Sequence, residues 1–165
     1  MALDLDMGGR LPQNVSTYLG PTLGWRYTDA PTDIEYVISR ADGPISPGYK
    51  GVLTIPEWVV VQSWVLLADV ACTAQIDIWR VPLTTYLASG PPTVANSLCG
   101  SQLPALTAQA AAQSTAINTW VQDTQQSGVG CLIYQNDVLA YNLNTNNLAT
   151  KLTLTLKCVR IVGTG

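Results

Sequence analysis

The clearest pattern in the sequence is an alternation of hydrophobic and polar residues near its C-terminal end. In residues 151–162 every second position is hydrophobic over most of the segment, and Lys or Thr occupies most positions between. A period of two places successive side chains on opposite faces of an extended strand. Residues 73–79 alternate in the same way. There the hydrophobic set is Ala74, Ile76 and Ile78, and the polar set is Thr73, Gln75 and Asp77. Both segments are therefore predicted to be strands with one buried face.

Shorter segments rich in β-branched and aromatic residues predict further strands, separated by turn sequences. The predicted strands are residues 34–38, 52–55, 58–67, 131–134 and 138–143. The turn sequences, rich in Gly, Pro, Asn and Asp, are residues 42–51, 125–130, 135–137 and 142–147. Gly90-Pro91-Pro92 is predicted to be a loop, because proline fixes φ and lacks an N–H donor. Seven or eight strands at this spacing predict an all-β protein built as a β-sandwich.

Two stretches depart from this pattern. Residues 105–116 are the only candidate helix, because alanine favours helices, but no hydrophobic stripe runs along them. We interpret them as one or two helical turns or as a loop with helical bias. Residues 117–121, around Trp120, are interpreted as a strand or a tightly packed segment.

The N-terminal part of the chain differs from the rest. In residues 1–32 Gly and Pro recur and no period is sustained, which predicts an irregular arm before a β-sandwich domain at residues 33–165. The arm nevertheless contains Tyr18, Trp25 and Tyr27. Large aromatic side chains usually pack against a surface, either of their own domain or of another subunit. These three residues are therefore the candidate partner-binding residues.

Composition narrows the classes of function. The chain has 165 residues, of which 47% are hydrophobic and 12% charged, so we expect one folded domain rather than a disordered chain. A net charge of −3 with 8 basic residues argues against nucleic-acid binding, which needs a clustered basic face. The sequence contains no His, which excludes Ser-His-Asp and Cys-His catalysis and His-ligated metals.

Targeting signals and cysteines point to a reducing compartment. The first 13 residues lack a basic region and contain Asp4 and Asp6, so we expect no signal peptide and a protein made and kept in a cytoplasm. The longest apolar stretch, residues 58–70, is too short and polar to span a bilayer. The four cysteines have no CxxC spacing, which argues against zinc. We expect Cys72, Cys99, Cys131 and Cys158 to be free thiols that act as small hydrophobes; two disulfides would need an oxidising compartment.

No residue pattern indicates catalysis or a cofactor. Asp69 and Asp77 could approach each other across a predicted turn, as a glycosidase would require, but most acidic residues lie in turn-like sequence where Asp bonds its own backbone. No GxSxG and no phosphate loop are present. A calcium site formed by Asn142, Asn144 and Asn146 would lack carboxylates, so a turn is the better interpretation there.

The tryptophans offer one alternative to a purely structural interpretation. Five Trp residues could form a surface that stacks on carbohydrate, but the chain has no Phe, so Trp and Tyr must supply any aromatic core. Trp64, Trp79 and Trp120 lie in apolar segments and are predicted to be core residues. Trp25, in the arm, is the better interface candidate.

Taken in order, the residues from 34 to 157 resemble a module of tailed-bacteriophage virion proteins. The matching residues are Gly48-Tyr49-Lys50-Gly51, Ile55-Pro56, Trp64, Leu67-Ala68-Asp69, Ile76-Asp77-Ile78-Trp79, Pro91-Pro92-Thr93-Val94-Ala95, Ser97, Pro104, Leu106, Trp120, Asp137-Val138-Leu139 and Leu152-Thr153-Leu154-Thr155-Leu156. Three positions depart from the module. Arg80 replaces Lys, Asn96 replaces Asp, and Asn136 replaces Gly in a turn, where Asn also tolerates positive φ.

The resemblance implies a fold and a role. It implies a jelly-roll-like antiparallel β-sandwich of about eight strands and no enzymatic activity; from the residue patterns above we also expect no cofactor and no metal. Little chain lies outside the sandwich, which suits a subunit attached directly to a shell. We therefore expect a capsid decoration (cement) protein, a homotrimer that clamps major capsid proteins on the outer surface of the virion head, with Tyr18, Trp25 and Tyr27 as anchors. The alternatives are a tail-fibre or receptor-binding protein that recognises host surface glycans and, third, a carbohydrate-active enzyme with two carboxylates in a cleft.

Overall fold

The structure is a computed structural model that describes the backbone of residues 25–114, 117, 119–121 and 131–163, and the side chains from residue 32 to residue 161 within those ranges. The strands are β1 (Trp25–Pro31), β2 (Ile34–Ser39), β3 (Gly48–Thr54), β4 (Val59–Pro82), β5 (Ala105–Ser114), β6 (Cys131–Ile133), β7 (Asp137–Asn146) and β8 (Lys151–Gly163). One short helix, α1 (Leu83–Ser89), and one 3₁₀ turn (Val94–Asn96) complete the described elements. The described part of the chain is thus mostly β, as the hydrophobic pattern predicts, and every strand pair in it is antiparallel.

Strand β4 is the central strand of a curled sheet and pairs with four other strands. One of its edges pairs with β8 over residues 59–68 and then with β7 over residues 74–82. Its other edge pairs with β6 and β5. Between residues 68 and 74 the ladders to β7 and β8 are interrupted, because the chain opposite β4 makes the turn from β7 to β8 there. The sequence predicted two strands, 58–67 and 73–79, with a turn between; the structure corrects this to one strand with a bend.

The bend divides the sheet into two halves. The first half consists of residues 59–68 of β4 with β1, β2, β5, β6 and β8; the second half consists of residues 74–82 of β4 with β3 and β7. Strands β2 and β3 follow the same bend, because β2 pairs with β8 and β3 pairs with β7. The chain therefore passes through both halves several times, and the halves cannot separate as independent units.

Both halves bury their inner faces in one core. The strand register aligns Tyr36, Leu154, Leu66 and Ala112 across the first half. Ile76, Ile78, Leu139, Tyr141 and Leu143 supply the inner face of the second half, and all five are buried in the same cluster as Leu66 and Leu154. The rings of Tyr36 and Tyr141 stack with centroids 3.9 Å apart, and the Tyr36 hydroxyl donates to the Lys50 carbonyl at 2.9 Å. This pair joins the halves through the core.

The candidate helix at residues 105–116 is wrong. Residues 105–114 form β5, which pairs with the long edge of β4. Alanine's helix preference amounts to only about 0.5 kcal/mol per residue over ordinary residues. A sheet edge that satisfies backbone hydrogen bonds outweighs a preference of this size, because strand formation is decided largely by such context. Conversely, α1 follows β4 directly and was not predicted.

Part of the segment predicted to be an irregular arm belongs to the sheet. Trp25–Pro31 forms β1, paired with residues 159–163 of β8. Trp, Tyr and Thr in this strand favour extended structure. Residues 1–24 lie outside the described residues. The ladder shifts register between Thr28 and Pro31, next to the position where proline removes an N–H donor.

Candidate interaction surfaces

The predicted partner-binding residues fall at or beyond the edge of the described chain. Tyr18 lies outside the described residues. Trp25 and Tyr27 occupy register positions opposite Gly163 and Ile161, and their side chains are not described. Their role as anchors stays a prediction.

Asp69 and Asp77 do not form a catalytic pair across a turn, because both lie on β4 and each is engaged locally. Asp69, at the bend, accepts bonds from the Thr150 hydroxyl (2.6 Å), the Thr150 N–H (3.1 Å) and the Lys151 N–H (3.1 Å). The Thr150 hydroxyl is the main cause of the lowered pKa of Asp69. Asp77, only 3% exposed, accepts from Trp79 Nε1 (2.7 Å) and from Ser97 Oγ (2.6 Å). Asp69 thus fixes the β7–β8 turn, and Asp77 fixes the loop containing Ser97 to β4.

The asparagines considered for calcium have other partners. Asn146 Nδ2 donates to the carbonyls of Ile45 and Ala149 at 2.9 Å, and its Oδ1 accepts from the Ala149 N–H. Asn142 donates to Asn144, as described below. Within the described ranges, no group of three or more Cys, Asp or Glu side chains is arranged to hold a metal ion. Among the described elements, no helix has the length and apolarity to cross a lipid bilayer.

The four cysteines are free and buried in the structure, in agreement with their interpretation as small hydrophobes. Burial raises the pKa of Cys131 and of Cys158 to about 12. Both thiols therefore stay protonated at neutral pH, a state in which thiols are poor nucleophiles.

The outer surface of the first half carries a patch of aliphatic and Thr side chains, flanked by Glu35 and Gln113. One row across β2, β8, β4 and β5 consists of Val37, Thr153, Leu67 and Ala111, and the next consists of Glu35, Thr155, Val65 and Gln113. Val37 is 46% exposed and Leu67 is 45% exposed, although each lies in the middle of a strand. We call Val37, Val65, Leu67, Ala111, Thr153 and Thr155 the aliphatic face. Adjacent exposed aliphatic side chains on a regular sheet form a surface suited to contact with another protein.

The outer surface of the second half has a different chemistry. The register aligns Tyr49 of β3 with Asn142 of β7 and Asp77 of β4. The helix α1 places Tyr86 near Tyr49, and after partial burial the proximity of Tyr86 is the next cause of the raised pKa of Tyr49. Trp79 lies on the same side of β4 as Asp77, to which its indole donates.

Three side-chain amides form a hydrogen-bonded row, the amide chain, across this second surface. Asn142 Nδ2 donates to Asn144 Oδ1 at 2.6 Å, and Asn144 Nδ2 donates to Gln75 Oε1 at 3.4 Å. We call Tyr49, Trp79, Tyr86, Gln75, Asn142 and Asn144 the aromatic–amide face. Tyr49 is 45% exposed and Asn144 is also exposed, so the face is open to solvent.

The tryptophan predictions are partly correct. Trp64 and Trp120 are buried core residues, as predicted. Trp79 is only half-buried and belongs to the outer surface, so its assignment to the core is wrong. The period of two over residues 73–79 already placed Trp79 with the polar set that includes Asp77. Tyr86 carried no such signal, because it lies on a helix that the sequence pattern did not indicate.

Comparison with known proteins adds no family assignment. No protein-family model, no curated protein and no solved structure matches this chain significantly. The fold and the two faces define the class of the molecule as an antiparallel all-β protein with two chemically distinct outer surfaces.

Proposed function

We propose that this chain is a capsid decoration protein of a tailed bacteriophage, with a jelly-roll fold, that assembles as a trimer on the outer surface of the head. The proposal combines the sequence resemblance with strand order. If β4 is counted as two strands, the first half has the order β2-β8-β4-β5 and the second half begins β3-β7-β4. The loop around Ser97 extends the second half, because Ser97 bridges to Trp79 and the Leu98 N–H donates to Ile78 at 2.7 Å. A four-stranded group and a three-stranded group extended by this loop, with the chain crossing between them, support the proposed jelly roll.

The observation that carries the proposal is the aliphatic face. Burying apolar surface between subunits stabilises an assembly by about 25 cal/mol per Å². Val37 and Leu67 would gain this stabilisation in a subunit contact, whereas in a monomer both stay in water. We therefore assign the aliphatic face to contacts between copies of the chain within a trimer.

The contact with the major capsid protein is assigned to a separate part of the molecule. Residues 1–24 precede the first described strand, and the candidate anchors Trp25 and Tyr27 follow them directly. In this arrangement the aliphatic face forms the trimer, and the segment that includes Tyr18, Trp25 and Tyr27 binds the capsid. Many such contacts, repeated over a capsid lattice, would add up to a large stabilisation of the shell.

The trimer assignment is tested with a charged double variant. Val37→Lys combined with Leu67→Lys places two cations on the aliphatic face, and light scattering of the purified protein should change from the mass of a trimer to that of a monomer. Leu87→Lys, at an exposed position on α1, is the matched control and should keep the wild-type mass. A monomeric wild type, or a double variant that stays trimeric, would contradict the assignment.

The location on the virion is tested by copy number and by deletion. Quantitative gels of purified particles should show hundreds of copies per virion, whereas a handful would favour the tail-fibre or receptor-binding alternative. Deleting residues 2–24 removes Tyr18 and none of the described strands, so the truncated protein should fold and trimerise but bind capsids more weakly. Adding Trp25→Ala and Tyr27→Ala to this deletion removes all three anchors and should abolish binding. Full occupancy of capsids by the combined variant would refute the role of this segment.

A further inference from the structure

We infer that the aromatic–amide face is a binding site for a neutral oligosaccharide. This site is independent of the proposed trimer contact, because it lies on the second half of the sheet and the aliphatic face lies on the first. The same molecule could therefore use the two faces at the same time.

Strand register places the aromatic rings of the aromatic–amide face next to hydrogen-bonding side chains. In one register row Tyr49 lies beside Asn142, and Asn142 in turn lies beside the buried Asp77. In the adjacent row Val52 and Trp79 are separated only by Ala140, whose side chain is a single methyl group. Aromatic side chains present apolar rings that can lie against the C–H faces of a sugar, and Tyr and Trp also carry a polar group.

The amide chain supplies the complementary polar contacts. Each side-chain amide has two N–H donors and a carbonyl acceptor held in one plane. Sugar hydroxyls donate and accept at closely spaced positions, which suits a row of such groups. Asn142, Asn144 and Gln75 share only two hydrogen bonds among themselves, which uses a minority of their combined capacity. Asn144 is exposed, so its remaining capacity is available to a ligand.

The charge of the face determines the class of sugar. None of its six side chains carries a charge. The neighbouring carboxylate of Asp77 is buried, and its two oxygens already accept from Trp79 and Ser97. Partial burial, followed by the contact with Tyr86, raises the pKa of Tyr49, so this hydroxyl is neutral at physiological pH. Sialylated or uronate-containing glycans would need a basic partner such as Arg, which the face does not supply.

The inference is tested by titrating the full-length protein with two panels of oligosaccharides. The first contains neutral oligomers of glucose, mannose, galactose and N-acetylglucosamine, and the second contains sialylated and uronate-containing oligomers. Saturation-transfer NMR detects binding, and a change in tryptophan fluorescence that is lost in Trp79→Phe assigns the binding to this face. We expect a member of the neutral panel to bind and the anionic panel not to bind.

Variants at exposed positions locate the site without disturbing the fold. Tyr49→Ala and Asn144→Ala should each weaken binding at least about ten-fold, with unchanged circular dichroism. Leu67→Ala, on the aliphatic face, is the control and should bind as the wild type does. The inference is overturned by no binding to the neutral panel, by binding only to the anionic panel, or by wild-type affinity in both face variants. None of these outcomes affects the trimer mass or the copy number, so the two proposals fail separately.

Discussion

The two outer faces of this molecule are built on the same strand but have different chemistry. Leu67, in the first half of β4, lies in a row with Val37, Thr153 and Ala111. Trp79, in the second half, lies in the row next to Tyr49 and Asn142. The inner sides of the two halves differ much less, because both must pack into one core. The comparison teaches that inward positions are constrained by shared packing, whereas outward positions are free to serve separate contacts.

The largest predicted effect tests this contrast on adjacent residues of one strand. Leu66 is fully buried and Leu67 is 45% exposed. Leu66→Ala removes core packing and leaves a cavity, so we expect a loss of about 2–5 kcal/mol in the free energy of unfolding. Leu67→Ala should cost less than about 1 kcal/mol, because its side chain already contacts water.

Denaturant titration of the two variants measures this difference. The titration should be done below the concentration at which the wild type trimerises, since a trimer contact would add stability to Leu67. Equal losses for the two variants would show that the aliphatic face is already covered within the monomer.

A smaller loss in the free energy of unfolding is expected from a substitution at Gly51, where the two halves meet. Gly51 has φ +132°, and a Cβ there would collide with the hydroxyl of Tyr36, which bonds the neighbouring Lys50 carbonyl. Gly51→Ala should therefore cost about 1–3 kcal/mol, because it adds backbone strain to the loss of this contact.

Two variants separate the causes of this loss. Gly43→Ala also has positive φ but has no atom within 4 Å of the added Cβ, so it measures strain alone. Adding Tyr36→Phe to Gly51→Ala removes the colliding hydroxyl and should recover part of the stability. If Gly43→Ala and Gly51→Ala are equally costly, the collision at the junction is unimportant.

The smallest predicted effect is a difference in the pH dependence of stability between Asp69, at the bend, and Asp137, at the end of the second half. The pKa of Asp69, at the bend, is lowered from 3.8, chiefly by the Thr150 hydroxyl. Its stabilisation is therefore present above pH 3.8 and is lost as pH falls through the lowered pKa. The pKa of Asp137 is raised from 3.8 by burial, so its contribution has the opposite sign and is lost as pH rises through the raised pKa.

Urea midpoints measured across the acidic range for Asp69→Asn and Asp137→Asn test this opposition. Asp69→Asn should reduce the loss of stability toward low pH. Asp137→Asn should remove a loss that occurs as pH rises above 3.8. Parallel pH profiles for the two variants would be inconsistent with the opposite shifts.

Two strands were predicted closely, one from alternation at residues 151–162 and one from β-branched and aromatic residues at 34–38. These segments form most of β8 and β2. The turn at residues 135–137 was also correct in position, and Asn136 has φ +67°. The alanine-rich β5 and the helix α1 were missed, because neither has a periodic pattern that could outweigh local preferences.

The residues that form the two candidate surfaces could not be grouped from the sequence alone. Neither Val37 with Leu67 nor Tyr49 with Tyr86 is close in sequence, so only strand register and the position of α1 bring them together. Of the anchors that the sequence proposed, Trp25 and Tyr27 are placed by backbone register alone.

By itself the sequence determined that this is a β protein with one buried and one exposed side on its strands, because a period of two is a local property of extended backbone. Only the tertiary structure decided that the two predicted strands of β4 are continuous, and which outward residues become neighbours. Those outcomes depend on pairing between segments that are distant in the chain, and local preference carries no information about which edges will meet.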